Sequence, residues 1–459
     1  MRNASIGCLH TVDITDVAYG GKGVGRIKGK VVFVPFTAPG DRVIVKITAE
    51  DRGFSHGALV DIVDASPMRV RPSCPVYESC GACSMQHIAY GDQVKCKQRM
   101  LEESIKRIGR IGGIDAVEFA PPIASDAPFG YRARSRIHVD AKGRWGFYEA
   151  VSRNVVDIRS CPVLNKPLNR AFSQIRDAVS TMQKSMQKSG RVKSGKKGCW
   201  LETVELGAPS DDDKTVAAFY IKEDKARELQ AALFDVSELK GIQVWDTASG
   251  KKVFERGDTT VCYNVNGIVY KADISVFSQA NHGLNQRLAG SVCGLAGLTG
   301  THSHQARVLE LYSGAGNLSL QLAQAAQEVI AVEADPTAME NARSNAGMNN
   351  IKNVRFHASD TVGWLTRNLK DLERTAFDVV VLDPPRTGDA EAARLIAHIR
   401  PNRIVYVSCS PPTLARDLSV LTRAGYRVFK AVLFDMFPQT YHVESIVGLE
   451  LVDKSQRSQ

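Results

Sequence analysis

Four runs in the first 65 or so residues, TVDITDVA, VVFVPF, RVIVKITAE and GALVDIVDA, are rich in β-branched residues and separated by turn formers, which predicts short strands. The Gly-rich stretch between the first two, Tyr19 to Lys30, lacks the Gly-Lys-Ser/Thr ending of a phosphate loop, and no helical pattern follows it, so it reads as a hairpin turn. Strands of this length and spacing predict an OB-like β-barrel over residues 1–66. SPMRVRPSCP, around Pro67 and Pro72, reads as a linker. A central α+β region, 67–270, opens on a cysteine cluster and continues in a helical stretch from His87 to Gly113 that ends on paired glycines. It then mixes strands with a basic low-complexity run, Lys184 to Gly198, expected to be a mobile surface loop.

From residue 271 to 459 the pattern alternates: RVLELY, VIAVEAD, VRFHASD, FDVVVLDPP and RIVYVSCS as strands, with NLSLQLAQAA and PTAMENARSNAGMN as helices. Apolar runs between helices predict a mostly parallel, doubly wound, Rossmann-like sheet. There is no internal repeat. The whole is therefore expected to be a multidomain α/β protein.

Composition narrows the class. With 44% hydrophobic and 24% charged residues the chain is not a disordered one. No apolar run reaches bilayer length and the N-terminus lacks a secretory apolar core, so a cytoplasmic protein with no membrane partner is expected. Ten cysteines are too sparse for a disulfide scaffold. The net charge of +10 is concentrated: residues 131–200 hold 16 Lys and Arg against 4 Asp and Glu. Arg132, Arg134 and Arg136 fall on one face of a candidate strand, and such a stripe fits RNA phosphates.

The candidate chemistry lies at the strand ends. RVLELY runs into Ser313-Gly314-Ala315-Gly316-Asn317, where glycines let the backbone approach a ligand. Glu333 ends the next strand, 19 residues after Gly314, where an acid commonly takes ribose hydroxyls. Asp360 ends the third and could meet an adenine edge. The third glycine of the dinucleotide fingerprint is missing, and Asp383-Pro384-Pro385-Arg386 makes a rigid turn at the fourth strand, which favours S-adenosylmethionine over NAD. Cys409 arrives at the same edge before a Pro-Pro helix start, where a helix N-terminus or nearby cations would lower its pKa. Uracil C5 is too weak a nucleophile to take a methyl group from a sulfonium. A thiolate added at C6 makes C5 nucleophilic, and a base must then remove the C5 proton.

Cys74, Cys80 and Cys83 are spaced C-x5-C-x2-C, a pattern that fits zinc or an iron–sulfur cluster, with Cys96 or Cys161 as a fourth ligand. Radical methyltransferases use C-x3-C-x2-C, a different first gap, so a closed cluster is expected.

FSQAN, ELYSGAGN, AVEAD, LDPPR, VYVSCSP and HVESI occur in this order from Phe277 to Ile446, and together they resemble the RNA uracil-C5 methyltransferases, in the iron–sulfur branch that acts on large-subunit ribosomal RNA. The resemblance covers essentially the whole chain. It implies a class I methyltransferase domain, a TRAM-type RNA-binding barrel, Cys409 as nucleophile and Glu444 as general base. It implies Gln279, Tyr312, Asn317, Glu333, Asp360 and Asp383 as S-adenosylmethionine contacts, with Asp383 orienting donor or uracil. It also implies a structural [4Fe–4S] cluster on Cys74, Cys80, Cys83 and Cys161. The expected partner is RNA, foremost 23S rRNA and not DNA, met by a monomer. Three other readings compete. A cytosine-C5 enzyme would carry a Pro-Cys pair at the fourth strand, and an adenine-N6 or guanine-N2 enzyme an aromatic after Pro-Pro. A non-catalytic RNA-binding factor would need no Cys409 or Glu444. The tRNA-specific relatives are expected to lack both barrel and cluster.

Overall fold

The computed structural model describes residues 6–107, 109, 117–188, 200–210, 212–222, 225–298 and 305–452. Alternating buried and exposed residues build the first sheet from β1 (Leu9–Asp13), β2 (Asp16–Val17), β3 (Lys22–Ile27), β4 (Lys30–Pro35), β5 (Arg42–Glu50) and β6 (Phe54–Asp64), in the order β1-β5-β6-β4-β3-β2. Its core is Val12, Ile14, Val32, Val34, Val43, Val45 and Ile47. The stretch expected to be one hairpin turn is two turns flanking β3. Glycine in a strand reads as a turn, but here it admits a neighbour: a Cβ on Gly25 would stand 2.2 Å from Val12. The expected linker is docked, with Arg69 donating two hydrogen bonds of 2.8 Å to the buried Asp41 carboxylate.

The helix expected from His87 is α1 (Tyr90–Arg107), and β7 (Glu118–Phe119) follows. The central sheet joins β8 (Arg134–Val139), β9 (Trp145–Tyr148), β10 (Val155–Asp157), β11 (Leu201–Gly207), β12 (Thr215–Ile221), β13 (Leu239–Asp246) and β14 (Lys251–Gly257), in the order β10-β9-β8-β11-β12-β13-β14. The helix α2 (Lys166–Lys188) lays Phe172, Ile175 and Val179 against Val204, Phe219 and Ile242 of that sheet; α3 (Ala226–Ala232) sits beside α2. The basic run begins inside α2 rather than in a loop, and its remainder, from residue 189, lies outside the described residues.

The hairpin β15 (Thr260–Val265) and β16 (Ile268–Asp273) leads into α4 (His282–Leu295). Then β17 (Arg307–Leu311), α5 (Ser319–Ala323), β18 (Glu328–Glu333), α6 (Pro336–Met348), β19 (Val354–Ala358), α7 (Thr361–Arg374), β20 (Val379–Leu382), α8 (Ala390–Ile399), β21 (Arg403–Ser408), α9 (Pro411–Arg423), β22 (Tyr426–Phe434) and β23 (Glu444–Leu451) alternate as expected. The sheet runs β19-β18-β17-β20-β21-β23-β22-β7; it is parallel from β19 to β21, while β23 is antiparallel to β21 and β22. Strand order reverses between β17 and β20, which opens a crevice at the carboxyl ends.

Two features of the central span pack on this sheet. In one core, Met100, Leu101 and Ile105 of α1 join Leu414, Leu418 and Leu421 of α9. In the other, Tyr263 and Tyr270 of the hairpin join Val308 and Val381. Two residues of β7 extend the sheet edge beside β22. Among the described residues no helix is long and apolar enough to cross a membrane.

Candidate active site

β17 ends at Leu311, and Tyr312 then takes a left-handed φ of +63°, rare for a residue with a Cβ, followed by Gly314 at +55° and Gly316 at +86°. This turn points the Gly314 amide at Glu333, whose carboxylate accepts it at 2.9 Å. The other oxygen of Glu333 accepts from the amides of Ala334 and Asp335. Asn317 is fixed by a two-way amide pair with Asn285 of α4, at 2.9 and 3.0 Å. The Tyr312 hydroxyl donates to Asp389. Gln279 is buried in the loop that enters α4. Asp360 is the N-cap of α7 and accepts from Gly363 at 2.6 Å, so part of its work is structural. Behind the turn lies Glu310, whose place in an apolar strand gives no sign of its role. Burial pushes its carboxyl up to about 8, and Ser319 donates to it.

The other half of the crevice is built by strand register. β21 pairs with β23 so that Ser408 faces Ser445, and the Ser445 hydroxyl donates to the Ser408 carbonyl at 3.2 Å. Cys409 and Glu444 are the next residues outward on the two strands. Asp383 follows β20, the strand beside β21. Burial pushes the Asp383 carboxyl up to about 7. Burial, then Asp383, raise Glu444 well above its ordinary range, and Arg386 opposes them. The Cys409 thiol is pushed up to about 11 by burial and by Glu444 and Asp383, against Arg386. The expected lowering is therefore not met: two carboxyls and burial outweigh one cation and the start of α9. A thiol and an acid at one edge can add to a flat electrophile and then move a proton beside it.

A strap holds the approach to Glu444. Lys97, on α1 and fully buried, donates to the buried Asp435 at 2.5 Å and to the Phe437 carbonyl at 3.0 Å. Gln93 and Gln439 exchange hydrogen bonds of 2.9 and 3.0 Å. Ser84 and Met85, just past Cys83, both donate to the Gln439 carbonyl, and the Tyr131 hydroxyl donates to that of Pro438. His442 lies at the end of this loop, and burial with nearby Arg386, Lys97 and Arg132 drops its imidazole to about 4. None of these partners was legible, since each pairs residues more than three hundred positions apart.

Cys74, Cys80, Cys83 and Cys161 line one cavity with Val76, Tyr77, Phe147 and Ile158. All but Cys74 are buried. Burial pushes the Cys80 thiol up to about 11 and that of Cys83 to about 12, the other cysteines adding to both shifts. Among the described residues no group of three or more His, Cys, Asp and Glu is placed to hold a metal ion. Cys96 is elsewhere, buried in the core of α1.

Arg134 and Arg136 share one face of β8 as expected, while Arg132 lies ahead of the strand in an isolated bridge to Leu164, and the middle arginine is committed. Arg134 is nearly buried, pairs with Glu205 at 2.7 Å and donates to the carbonyls of Ile274 and Val276. Arg136 pairs with the same Glu205 at 3.0 Å while staying mostly exposed.

The family model described as tRNA (Uracil-5-)-methyltransferase matches residues 213–452, more than half of the chain, and a TRAM domain model matches residues 6–60. The chain belongs to the RNA uracil-C5 methyltransferase family. An uncharacterized RNA methyltransferase of Caldanaerobacter subterraneus subsp. tengcongensis is 32% identical over 98% of this chain and 100% of its own length. A protein of Aeromonas hydrophila named 23S rRNA (uracil(1939)-C(5))-methyltransferase RlmD is 32% identical over 93% of each chain. Among solved structures, the Pyrococcus abyssi tRNA (uracil-54, C5)-methyltransferase in complex with S-adenosyl-L-homocysteine has a TM-score of 0.71 and 25% identity, and covers 96% of this chain and 99% of its own. That last coverage leaves no room for a missing barrel. The expectation that tRNA-specific members typically lack one does not hold for this structure. As a member of the family, this methyltransferase uses S-adenosylmethionine to methylate uracil C5 in RNA.

Proposed function

We propose that this methyltransferase forms 5-methyluridine in 23S rRNA, with Cys409 as nucleophile and Glu444 as base. The observation that carries the reading is the common edge of β21 and β23, which puts the two residues side by side. The Cys409 thiol gives up its proton to solvent, its sulfur bonds to C6 of the uracil, and the C5–C6 π pair moves into an enolate that is nucleophilic at C5. After C5 is methylated, Glu444 takes the C5 proton, the double bond reforms and the sulfur leaves. A carboxyl held above its ordinary range is a stronger base for that step than a solvated one. Gln279, Tyr312, Asn317, Glu333, Asp360 and Asp383 would hold S-adenosylmethionine, with Glu333 toward the ribose and Asp383 toward the reacting end. When bound, S-adenosylmethionine supplies an electrophilic methyl group and a positive charge.

The 23S target is supported by the Aeromonas relatives, 30 and 32% identical over 93% of this chain. The Pyrococcus structure supports a second reading, tRNA. Incubating the protein with labelled donor and either a 23S transcript or total tRNA, then mapping 5-methyluridine, decides between them. Label in tRNA alone would sink the rRNA assignment. Cys409, Glu444 and the six donor contacts all come from one chain, which supports a monomer, and an RNA substrate supports a cytoplasmic location.

The four cysteines around one cavity support a [4Fe–4S] cluster on Cys74, Cys80, Cys83 and Cys161. One zinc ion would draw four sulfurs to within roughly 4 Å of each other. A cubane holds them farther apart, one iron under each. Four soft thiolate donors suit either group, and the resemblance to the iron–sulfur branch favours the cluster. Its place, one residue before the Ser84 contact to Gln439, gives it a structural role.

A further inference from the structure

The barrel reaches into the crevice. Val17 and Ala38 are buried in the same core as Ile404, Leu414 and Val443 of the methyltransferase domain. Arg99 of α1 holds Asp16 of β2 at 3.1 Å. The turn that follows, Tyr19-Gly20-Gly21, is thus seated against the catalytic domain. At Gly21, φ is +76°, and a Cβ would stand 2.8 Å from the Ser84 hydroxyl and 3.1 Å from the Tyr441 side chain, so only glycine brings the turn this close.

Glycine there delivers Tyr19 to the nucleophile. The Tyr19 hydroxyl donates to the main-chain carbonyl of Cys409 at 3.4 Å. Its ring meets that of Tyr441 edge to face, with centroids 5.5 Å apart and planes at 89°. Tyr441 in turn packs on His442, at 4.4 Å. Tyr19, Tyr441, His442 and Cys409 are all half-buried, so each keeps part of its surface open.

We infer that Tyr19 is a wall of the pocket that receives the target pyrimidine, and that the RNA-binding barrel thereby completes the active site. This rests on Cys409 being the nucleophile. A base drawn out of RNA loses its stacking neighbours, and an aromatic face beside the attacking sulfur replaces them. Two rings at right angles offer one face to stack on and one edge to stop the base from sliding.

The test compares wild type with Tyr19→Ala, Tyr19→Leu and Tyr19→Phe on two RNAs, one carrying 5-fluorouridine at the target and one abasic there. Wild type forms a covalent adduct with the fluorinated RNA. Tyr19→Ala forms it about tenfold more slowly or worse, as expected for the loss of one stacking face, and binds that RNA about tenfold more weakly. On abasic RNA its affinity equals that of wild type. Tyr19→Leu, which fills the docking volume without an aromatic face, follows Tyr19→Ala, and Tyr19→Phe stays within about twofold of wild type. Equal weakening on both RNAs, or adduct formation at the wild-type rate in Tyr19→Ala and Tyr19→Leu, overturns the inference and leaves Tyr19 a docking contact. If wild type forms no adduct, the nucleophile assignment fails instead, and the comparison of the two affinities alone decides for Tyr19.

Discussion

Cys409 and Glu444 stand one position beyond the paired Ser408 and Ser445, at the ends of neighbouring antiparallel strands. Main-chain hydrogen bonds therefore set their spacing, and the side-chain bond from Ser445 to the Ser408 carbonyl reinforces it. On the far side of β23, Glu444 pairs with Phe434 of β22, so its main chain is also held from that side.

Replacing the nucleophile tests its role without touching the donor. Cys409→Ala is expected to lose methylation to below about one part in a thousand of wild type, since the variant lacks the sulfur that forms the C6 bond. Its S-adenosylmethionine affinity, read by calorimetry, should stay within about threefold of wild type, because one methyl-sized change leaves the opposite half of the crevice intact. Turnover above a trace would exclude covalent catalysis.

The strap gives a subtler prediction. Gln93→Ala removes both bonds to Gln439, which has a left-handed φ of +71° and relies on its partners. The loop before Glu444 loosens, and kcat should fall about tenfold or more, as small misplacements of a reacting group do. Donor affinity should not change. A variant with normal kcat would show that the loop holds itself.

How much of this could be read from the chain follows from distance along it. The barrel strands, the alternating domain and the placement of Glu333 and Cys409 at strand ends were legible, because local periodicity and turn residues carry them. Glu444 was not legible from the residues alone: its position beside Cys409 depends on β22 and β23 folding back after α9, a pairing between strands separated by a helix. Arg134 read as a phosphate contact because Glu205, its partner, is 71 residues away. β3 hid behind glycines that serve close packing. Tyr19 gave no signal at all, since only the docking of the barrel brings it to Cys409.

Iron content tests the cysteine assignment. Protein purified without oxygen should be brown with about four irons per chain. Cys161→Ser should lose them. Cys96→Ser should keep them and lose roughly 1–3 kcal/mol of stability, because a hydroxyl replaces a buried thiol in the α1 core. Colourless protein with one zinc would overturn the cluster, and iron lost only from the Cys96 variant would move the fourth ligand.

Glu310 sets a pH dependence of stability. Its carboxyl stays protonated in the folded chain up to about 8, against 4.5 for the ordinary group. Between these values the unfolded chain releases a proton that the native one keeps, so stability falls as pH rises. Below the lower value both states are protonated and the penalty vanishes. Glu310→Gln, which can still accept from Ser319, should lose several degrees less in Tm than wild type between about pH 5 and about pH 9. Parallel curves would place the penalty elsewhere.

The most direct measurement of the covalent mechanism uses Glu444→Gln with donor labelled in its methyl group. In this variant sulfur can still bond to C6 and the methyl group can still reach C5, but the C5 proton has no acceptor and Cys409 cannot be expelled. The label should accumulate in a protein–RNA band that survives a denaturing gel, and digestion should trace the RNA to the peptide containing Cys409. Label released as free methylated RNA at the wild-type rate, with no such band, would contradict the assignment of Glu444 as the base that resolves the Cys409 adduct.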